Sequence, residues 1–278
     1  MKMKQFIKDA IKNKFFMIGF VLFTGIVLTA IFAGAIAPHS YKDINVLKAL
    51  QPPGVEFPFG TDQYGRCIFS RVIYGSRIAL TVGLVVVTVE CLIGVTLGLI
   101  SGYYGGWIEK CIMFITDLTW SLPPLIMALA IVTMLGPSLI NVVISIAVVS
   151  WAQFTRIVST KTQSIKNMPF IEAARAFGES NFSIITRYIL PNVMSPIIVL
   201  TSLALPSAIL STTALGFLGL GAQPPAPDWG KILSEGIGYI RTASWISFYP
   251  GIAIVLTVLG FNLLGEGLRD LLDPRLKV

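Results

Sequence analysis

Long uncharged segments alternate with short charged ones along this chain. The first uncharged segment covers residues 15–37 and is long enough for a helix to cross about 30 Å of hydrocarbon. Further segments, interrupted only by Glu90 and Asp117, cover residues 78–108, 111–155, 188–227 and 242–265. A cleaved signal peptide has an apolar core of only ~7–15 residues, so we interpret the first segment as an uncleaved span.

Glycine and proline divide these segments into six spans. The segment 111–155 is too long for one span, and Gly136-Pro137-Ser138 separates a third from a fourth. Ser121-Leu122-Pro123-Pro124 distorts the third, because proline removes a helical hydrogen bond. The fifth is predicted from Pro191 to about Leu215, before a Gly- and Pro-rich stretch that cannot stay helical. The pattern therefore predicts an all-α, polytopic membrane protein with six transmembrane helices.

Composition supports this class. Charged residues make up 13% of the chain, against about 25% in soluble domains, and the mean hydropathy is +0.78. Three scattered cysteines indicate neither a disulfide framework nor a CxxC metal site. The excess of 21 Lys and Arg over 14 Asp and Glu would suggest nucleic acid in a soluble protein. In a membrane protein it is explained more simply by orientation in the bilayer, with lipid and no nucleic acid as partner.

The distribution of basic residues predicts the orientation. Six spans put both termini on one side, and an N-in, C-in arrangement places 14 basic residues inside and 7 outside, as the positive-inside rule favours. Five of the seven lie in the loop 38–77, and lipid headgroups can hold some of them. On this pattern residues 1–77 form an N-terminal cytoplasmic segment, the first span and an extracytoplasmic loop. Residues 78–278 form a five-helix core, with a cytoplasmic loop at about 159–191.

A charged stretch within that cytoplasmic loop separates the fourth span from the fifth. Pro169 can occupy the first turn of a short helix, and Gly178 can adopt the positive φ that ends it. Ser180 or Asn181 can then cap a second short helix, with Pro191 at its end or at the entry to the next span. The pattern predicts a helix–turn–helix on a membrane face, shaped to be held by another molecule.

Little in the chain supports intrinsic catalysis. His39 is the only histidine, and no GxxxxGK[ST] phosphate loop is present. Glu90 lies near the middle of the second span and should face protein or water, either along a translocation path or as a hydrogen-bonded structural group. Asp117 lies near the inner interface, where headgroup exposure or a helix-terminal role is expected. Close helix packing is indicated by the x-x-x spacing of Gly94, Gly98 and Gly102.

The charged stretch resembles the cytoplasmic motif of ABC-importer permeases, which reads EAA, three residues, Gly, nine residues and then I-x-L-P. Here Glu172-Ala173-Ala174 is followed by Gly178 and by Tyr188-Ile189-Leu190-Pro191, with Tyr188 in place of the usual Ile. The resemblance implies a coupling helix that docks into a cleft on an ATPase subunit. The coupling residues it implies are Glu172, Ala173, Ala174, Gly178, Leu190 and Pro191.

Other motifs are similar to the C-type branch of the peptide and nickel importers. They are Phe59-Gly60-Thr61-Asp62 with Gly65-Arg66 and Ser70-Arg71, Gly75-x-Arg77, Phe217-Leu218-Gly219-Leu220-Gly221 with Pro224-Pro225 and Trp229-Gly230, and Asn262-Leu263 to Asp273-Pro274. Cys67 stands where this branch usually has aspartate, and Phe114 where arginine is frequent.

That resemblance implies a permease subunit in a prokaryotic cell membrane, without a cofactor of its own. A homologous second permease would complete the path, two ABC ATPase subunits would hold ATP and Mg, and an extracytoplasmic solute-binding protein would deliver the substrate. Di- or oligopeptides are the first expectation, and nickel or a metal chelate the second. A self-contained secondary transporter would instead show charged midplane sites and inverted repeats, and a membrane scaffold would leave the charged stretch a solvated loop.

Overall fold

The computed structural model describes residues 9–272, a range in which helices form the bilayer-crossing part of the chain. These helices are α1 (Lys14–Ile31), α2 (Ala33–Ile36), α3 (Ile68–Tyr104), α4 (Gly106–Trp120), α5 (Pro124–Leu135), α6 (Leu139–Ile165), α7 (Pro169–Ala176), α8 (Asn181–Phe217), α9 (Trp229–Ile237) and α10 (Trp245–Leu272). The basic residues Lys2, Lys4, Lys8, Arg275 and Lys277 and the pair Asp273-Pro274, all used in the predictions, lie outside the described residues.

Five of these helices, α1, α3, α6, α8 and α10, are long and apolar enough to cross a membrane. A sixth span results if α4 and α5, bent by 85° at the break between them, are counted as one. The break lies at Ser121-Leu122-Pro123, where distortion was predicted, because two successive prolines lack the N–H groups that would continue α4. The all-α, polytopic fold class is confirmed.

The predicted start of the second span, at residue 78, is wrong. Helix α3 begins at Ile68, so Arg71 and Arg77 lie inside it. Neither charge ends the helix, because Arg71 is paired with carboxylates and Arg77 donates a hydrogen bond to the carbonyl oxygen of Ala30 on α1. The boundary predicted between residues 77 and 78 therefore falls inside α3.

Helix α8 joins two elements that were predicted as separate. It runs continuously from Asn181 to Phe217, with a π-helical segment at Ile184–Ile189 directly before Leu190 and Pro191. The wider π turn accommodates the missing N–H of Pro191, which thus stands at the entry to the span. The helix stops at Phe217, where the Gly- and Pro-rich stretch begins, as predicted.

Helices α3 and α6 pack against each other along an extended contact. A Cβ atom on Gly94 would lie 2.6 Å from the carbonyl oxygen of Trp151, and one on Gly102 would lie 2.6 Å from that of Ser159. The intervening Gly98 meets the carbonyl oxygen of Thr155 in the same way, at 2.9 Å. This geometry confirms the close packing predicted from the glycine spacing.

Opposite ends of α3 define the two ends of the bundle. At its start, Val72 accepts a hydrogen bond from Trp229, the first residue of α9. At its finish, Tyr103 contacts the segment that contains α7 and the start of α8. We refer to these as the α9 end and the α7 end.

Candidate functional site

The predicted helix–turn–helix is present at the α7 end. Helix α7 starts at Pro169, with Met168 as its N-cap residue, and Glu172 lies in its first turn, where a carboxylate favours the helix N-terminus. Ile171 and Ala174 are buried, whereas Glu172 and Ala173 are exposed. One face of α7 is therefore fixed to the bundle and the other faces away from it.

Gly178 sets the turn after α7. Its φ is +80°, and its N–H donates to the carbonyl oxygen of Arg175 at 3.0 Å. No atom lies within 4 Å of a Cβ placed there, so the backbone conformation requires glycine and the surrounding space does not. Ser180 then caps α8, since its Oγ accepts a hydrogen bond from the N–H of Ser183 at 3.2 Å. Both features match the prediction.

The inner face of this segment is held by the end of α3. Ile171 and Ala174 belong to one buried apolar cluster with Leu99 and Tyr103 of α3. The hydroxyl of Tyr103 donates to Oδ1 of Asn181 at 2.7 Å, and the guanidinium of Arg175 lies 5.6 Å from the centre of its ring. Because Tyr103 contacts both arms of the helix–turn–helix, displacement of the turn would act directly on α3.

The structure divides the six predicted coupling residues between two surroundings. Glu172, Ala173, Gly178 and Pro191 are exposed, Leu190 is half-buried, and Ala174 is buried. The small side chain of Ala174 therefore allows α7 to lie close to its own bundle, and the exposed residues are those available to a partner.

Two phenylalanines that sequence reasoning missed flank the turn. Phe177 is 89% exposed and Phe182 is 77% exposed, on either side of Gly178. Exposed phenylalanines beside four charged residues are unusual, because a water-facing loop normally carries few large apolar side chains. Their place in a polar stretch was the signal that could have identified them as contact residues.

Glu90 lies in the interior of the bundle. Its side chain is buried on α3 and is hydrogen-bonded by Ser150 of α6. Only 3% of Glu90 is exposed, so its carboxyl faces the interior of the bundle. The expectation that it avoids lipid is met.

Asp117 makes an ion pair with Arg156, which joins α4 to α6. Both side chains are about half exposed, and the Arg156 guanidinium lies 5.4 Å from the centre of the Trp120 ring. This exposure agrees with the expected interfacial position of Asp117, and Arg156 supplies the cation that Phe114 does not.

A buried charge cluster fixes the loop 38–67 at the α9 end. Asp62 Oδ2 accepts hydrogen bonds from Arg66 Nε and Arg71 Nη1, both at 2.6 Å. Glu235 of α9 accepts from the same two arginines at 3.1 and 3.2 Å. The positive charges of the two arginines are balanced by the two carboxylates, as is required when ionised groups are buried. The cluster accounts for the charged residues of the Phe59–Arg71 motif. Cys67, in the same motif, is the N-cap residue of α3 and makes no side-chain capping hydrogen bond.

Asp228 organises the second motif of this end. Its carboxylate accepts hydrogen bonds from the N–H groups of Gly230 at 2.8 Å, Lys231 at 3.3 Å and Ala222 at 3.2 Å. Burial raises the pKa of Asp228, and the three N–H donors oppose that shift. A Cβ on Gly216 or Gly221 would lie within 2.6 Å of these carboxylate oxygens, so the glycines of the motif make room for the carboxylate.

Within residues 9–272, the structure groups no three His, Cys, Asp or Glu side chains in a way that could hold a metal ion. In the arrangement described above, α3 joins the helix–turn–helix at the α7 end to the charge cluster and the Asp228 carboxylate at the α9 end.

Two parts of the chain match known protein families. Residues 94–278 match the binding-protein-dependent transport system inner membrane component, and residues 3–53 match the N-terminal TM domain of oligopeptide transport permease C. Residues 54–93, which include the first part of α3, lie outside both matches.

Similar proteins cover nearly the whole chain. A dipeptide transport system permease protein of Alkalihalophilus pseudofirmus is 48% identical over 270 residues, which are 97% of this chain and 89% of that protein. A glutathione transport system permease protein of Pectobacterium atrosepticum is 42% identical over 86% of this chain and 79% of its own length. The inward-facing MetNI methionine ABC transporter has a chain with a TM-score of 0.61 at 17% identity, covering 74% of this chain and 98% of its own, and this likeness concerns the fold alone.

Proposed function

Since the chain belongs to the family of binding-protein-dependent transport system inner membrane components and is a permease subunit of an ABC importer, we propose that it carries di- or oligopeptides across the cell membrane. The observation that carries this substrate class is the 48% identity to a dipeptide permease over 97% of the chain, together with its similarity to glutathione permeases. Glutathione is itself a short peptide. The chain is a transport component and not an enzyme.

The proposed assembly contains a homologous second permease, two ATPase subunits that hold ATP and Mg, and an extracytoplasmic solute-binding protein. Apolar side chains on α4 and α5 support the second permease, since several of them are exposed on this broken span. Phe114 is 68% exposed, Leu118 60%, Ile126 58% and Met134 88%. A partner with a similar fold would cover such a surface.

Docking of an ATPase on the α7 end is supported by the exposed face of the helix–turn–helix. Glu172 offers a carboxylate, and Phe177 and Phe182 offer two aromatic side chains. Burial of one phenylalanine stabilises an interface by about 1.5–3 kcal/mol. In this proposal the aromatic pair supplies most of the affinity, Glu172 orients the partner, and Gly178 holds the two phenylalanines at the required angle.

Tyr103 supports a route from this docking surface into the membrane. ATP-driven closure of the two ATPases would displace α7, and Tyr103 would transfer the displacement to α3 through its contacts with Asn181 and Arg175. Helix α3 is packed against α6 through its glycines, so the two helices would move together. Movement of packed units around a fixed contact is a common way to alternate between inward- and outward-open states.

The N-in, C-in orientation, with the α7 end cytoplasmic, is supported by the excess of basic residues on that side. The basic residues of the loop 38–77 count against this orientation. However, Arg66 and Arg71 are neutralised within the buried cluster, and Lys48 pairs with Glu56. Three of its five cations therefore contribute little to the charge on the extracytoplasmic side.

Glu90 remains a candidate for the translocation path, and its surroundings support a structural role. Its carboxyl is buried and is bonded by Ser150 across the α3–α6 contact. We propose that Glu90 holds these helices together in this conformation.

Peptide transport is tested by measuring uptake in cells that lack this chain and in cells complemented with it. Labelled dipeptide and labelled nickel are supplied in parallel. We expect the deletion to abolish binding-protein-dependent dipeptide uptake and complementation to restore it. Unchanged dipeptide uptake combined with loss of nickel uptake would contradict the proposed substrate and favour the metal.

A further inference from the structure

An apolar groove lies between α1 and α10, with α3 as its floor. The two outer helices are in direct contact toward the α7 end, where a Cβ on Gly19 would lie 2.3 Å from the backbone of Leu264 and one on Gly267 would lie 2.6 Å from that of Phe16. Toward the α9 end they no longer fill the space between them. The groove there has a volume of about 210 Å³.

The walls of the groove are chemically suited to hydrocarbon. Apolar side chains such as Ile26, Ile73 and Leu256 line it. The aliphatic hydroxyl groups on its walls already donate to carbonyl oxygens of their own helices, at 2.6–2.8 Å, and so are not free to donate to an occupant; these are Thr29, Ser76 and Thr257. An occupant would gain by burying methylene groups, at about 0.8 kcal/mol each.

The groove is placed to take an occupant from the bilayer. It opens among membrane-spanning helices beside Ile252 and Leu256, which are about 40% exposed. A single flexible chain fits this space, and the surrounding bilayer supplies one.

Two cations beside the groove have no carboxylate partner within residues 9–272. Arg77 follows the groove residue Ser76, and its side chain reaches the carbonyl oxygens of Ala30 and Ile31 on α1. Its guanidinium lies 5.3 Å from the centre of the Tyr74 ring. The ring of a second tyrosine, Tyr41, packs against Tyr74 at a tilt of 50°, with the ring centres 4.7 Å apart, and Lys42 lies 5.5 Å from the centre of the Tyr41 ring.

This row of cation, two tyrosines and cation lies at the membrane end of the loop 38–67. Of the five basic residues in the segment 38–77, only Lys42 and Arg77 are left without an ion pair by the described structure. Tyrosines at such a level are typical of the headgroup region, and basic side chains there attract anionic lipid by about 1 kcal/mol each.

We propose that this groove binds one acyl chain of an anionic phospholipid from the leaflet at the α9 end, with the lipid phosphate at Arg77 and Lys42. The chain and the headgroup are recognised separately, by apolar burial and by charge. The site does not depend on the substrate of the transporter or on docking of the ATPase.

The acyl-chain part is tested with Ala253→Phe, which fills the groove, since Ala253 lines it and is only partly buried. Its matched control is Val255→Phe, which introduces the same ring on α10 at a residue that is 63% exposed. Each protein is purified from membranes in mild detergent, and retained phospholipid is quantified by mass spectrometry. We expect Ala253→Phe to lose one tightly held lipid per chain and the control to keep it. Equal lipid retention in both variants would overturn the proposal.

The headgroup part is tested with Arg77→Gln and Lys42→Gln, separately, after equilibration with equal amounts of phosphatidylglycerol and phosphatidylcholine. We expect each to lower the preference for phosphatidylglycerol by about fivefold while the number of bound lipids stays the same. Arg77→Lys should keep the preference. An unchanged preference in both Gln variants would overturn the assignment of an anionic headgroup. The lipid itself is tested with a photoreactive probe at residue 252, and crosslinking of that probe to protein instead of lipid would overturn the lipid assignment.

Discussion

Replacement of Gly178 by valine isolates the geometry of the helix–turn–helix from its contacts. The φ of Gly178 is +80°, and a Cβ there would meet no atom within 4 Å. The substitution therefore removes no packing and causes no clash in the free subunit. It costs about 1–2 kcal/mol because an L-residue avoids the left-handed region, and a branched Cβ costs more.

A cost of about 2 kcal/mol lowers the population of the native turn, relative to any competing turn, by a factor of about 30. Phe177 and Phe182 lie on the two sides of the turn and would no longer have the same relative orientation. We expect Gly178→Val to reduce dipeptide uptake and retention of the ATPase subunits at least tenfold, with a normal amount of the chain in the membrane. Asparagine tolerates positive φ, so Gly178→Asn should retain most activity.

The measurement is uptake of labelled dipeptide, with immunoblots of the membrane fraction and copurification of ATPase in mild detergent. Gly136 provides the matched control, since its φ is +91° and a Cβ there also has open space. Gly136→Val also forces a β-branched residue into a positive-φ conformation, at the turn between α5 and α6 and away from the α7 end. It should leave ATPase copurification unchanged. Normal uptake by Gly178→Val would refute our reasoning about the turn.

Three further predictions concern docking, charge and packing. Phe177→Ala should weaken ATPase copurification by about tenfold to a hundredfold, because it removes about 1.5–3 kcal/mol of apolar burial; unaltered copurification would contradict the docking surface. Asp62→Asn should lower the free energy of unfolding in detergent by about 3–5 kcal/mol, because the buried Arg66 and Arg71 would keep only Glu235 as a charged partner, whereas Glu56→Gln in the exposed pair with Lys48 should cost less than about 1 kcal/mol; equal effects would contradict the charge cluster. Gly94→Val should prevent accumulation of folded protein because its side chain would overlap α6, and Gly25→Val, which meets no atom, should accumulate normally.

The spans were predicted well from the sequence but their boundaries less well, because each predicted span was ended at a charged residue. An uncharged run ends at the first arginine, but a helix continues through it, because arginine is a good helix former and partners allow its burial. Arg71 finds Asp62 and Glu235, and Arg77 finds the carbonyl oxygens at the end of α1, so α3 continues through both. Partners distant in sequence cannot be identified from hydropathy alone.

The helix–turn–helix between Pro169 and Pro191 was predictable because its signals are local. Proline at a helix start, glycine at a positive φ and serine at a cap each act within a few residues, and Pro169, Gly178 and Ser180 behave as predicted. The division of the motif into a buried Ala174 and an exposed Ala173 depends on where α7 packs, which is a tertiary property. Helix α9 was missed because it is short and lies in a Gly-rich region, although Asp228 ahead of it is a recognisable N-cap.

The length of α3 explains why its two ends matter together. At about 1.5 Å per residue, 37 residues extend about 55 Å, from the buried charge cluster to the tyrosine that touches the coupling turn. One helix with fixed contacts at both ends and glycine-mediated packing along its second half has little freedom to bend alone. A displacement applied at Tyr103 is therefore expected to reach Arg71 as a movement of the whole helix. If so, Asp62→Asn, which loosens the far end, should reduce transport more than it reduces ATPase docking, and a proportional loss of both would argue against α3 as the connecting element.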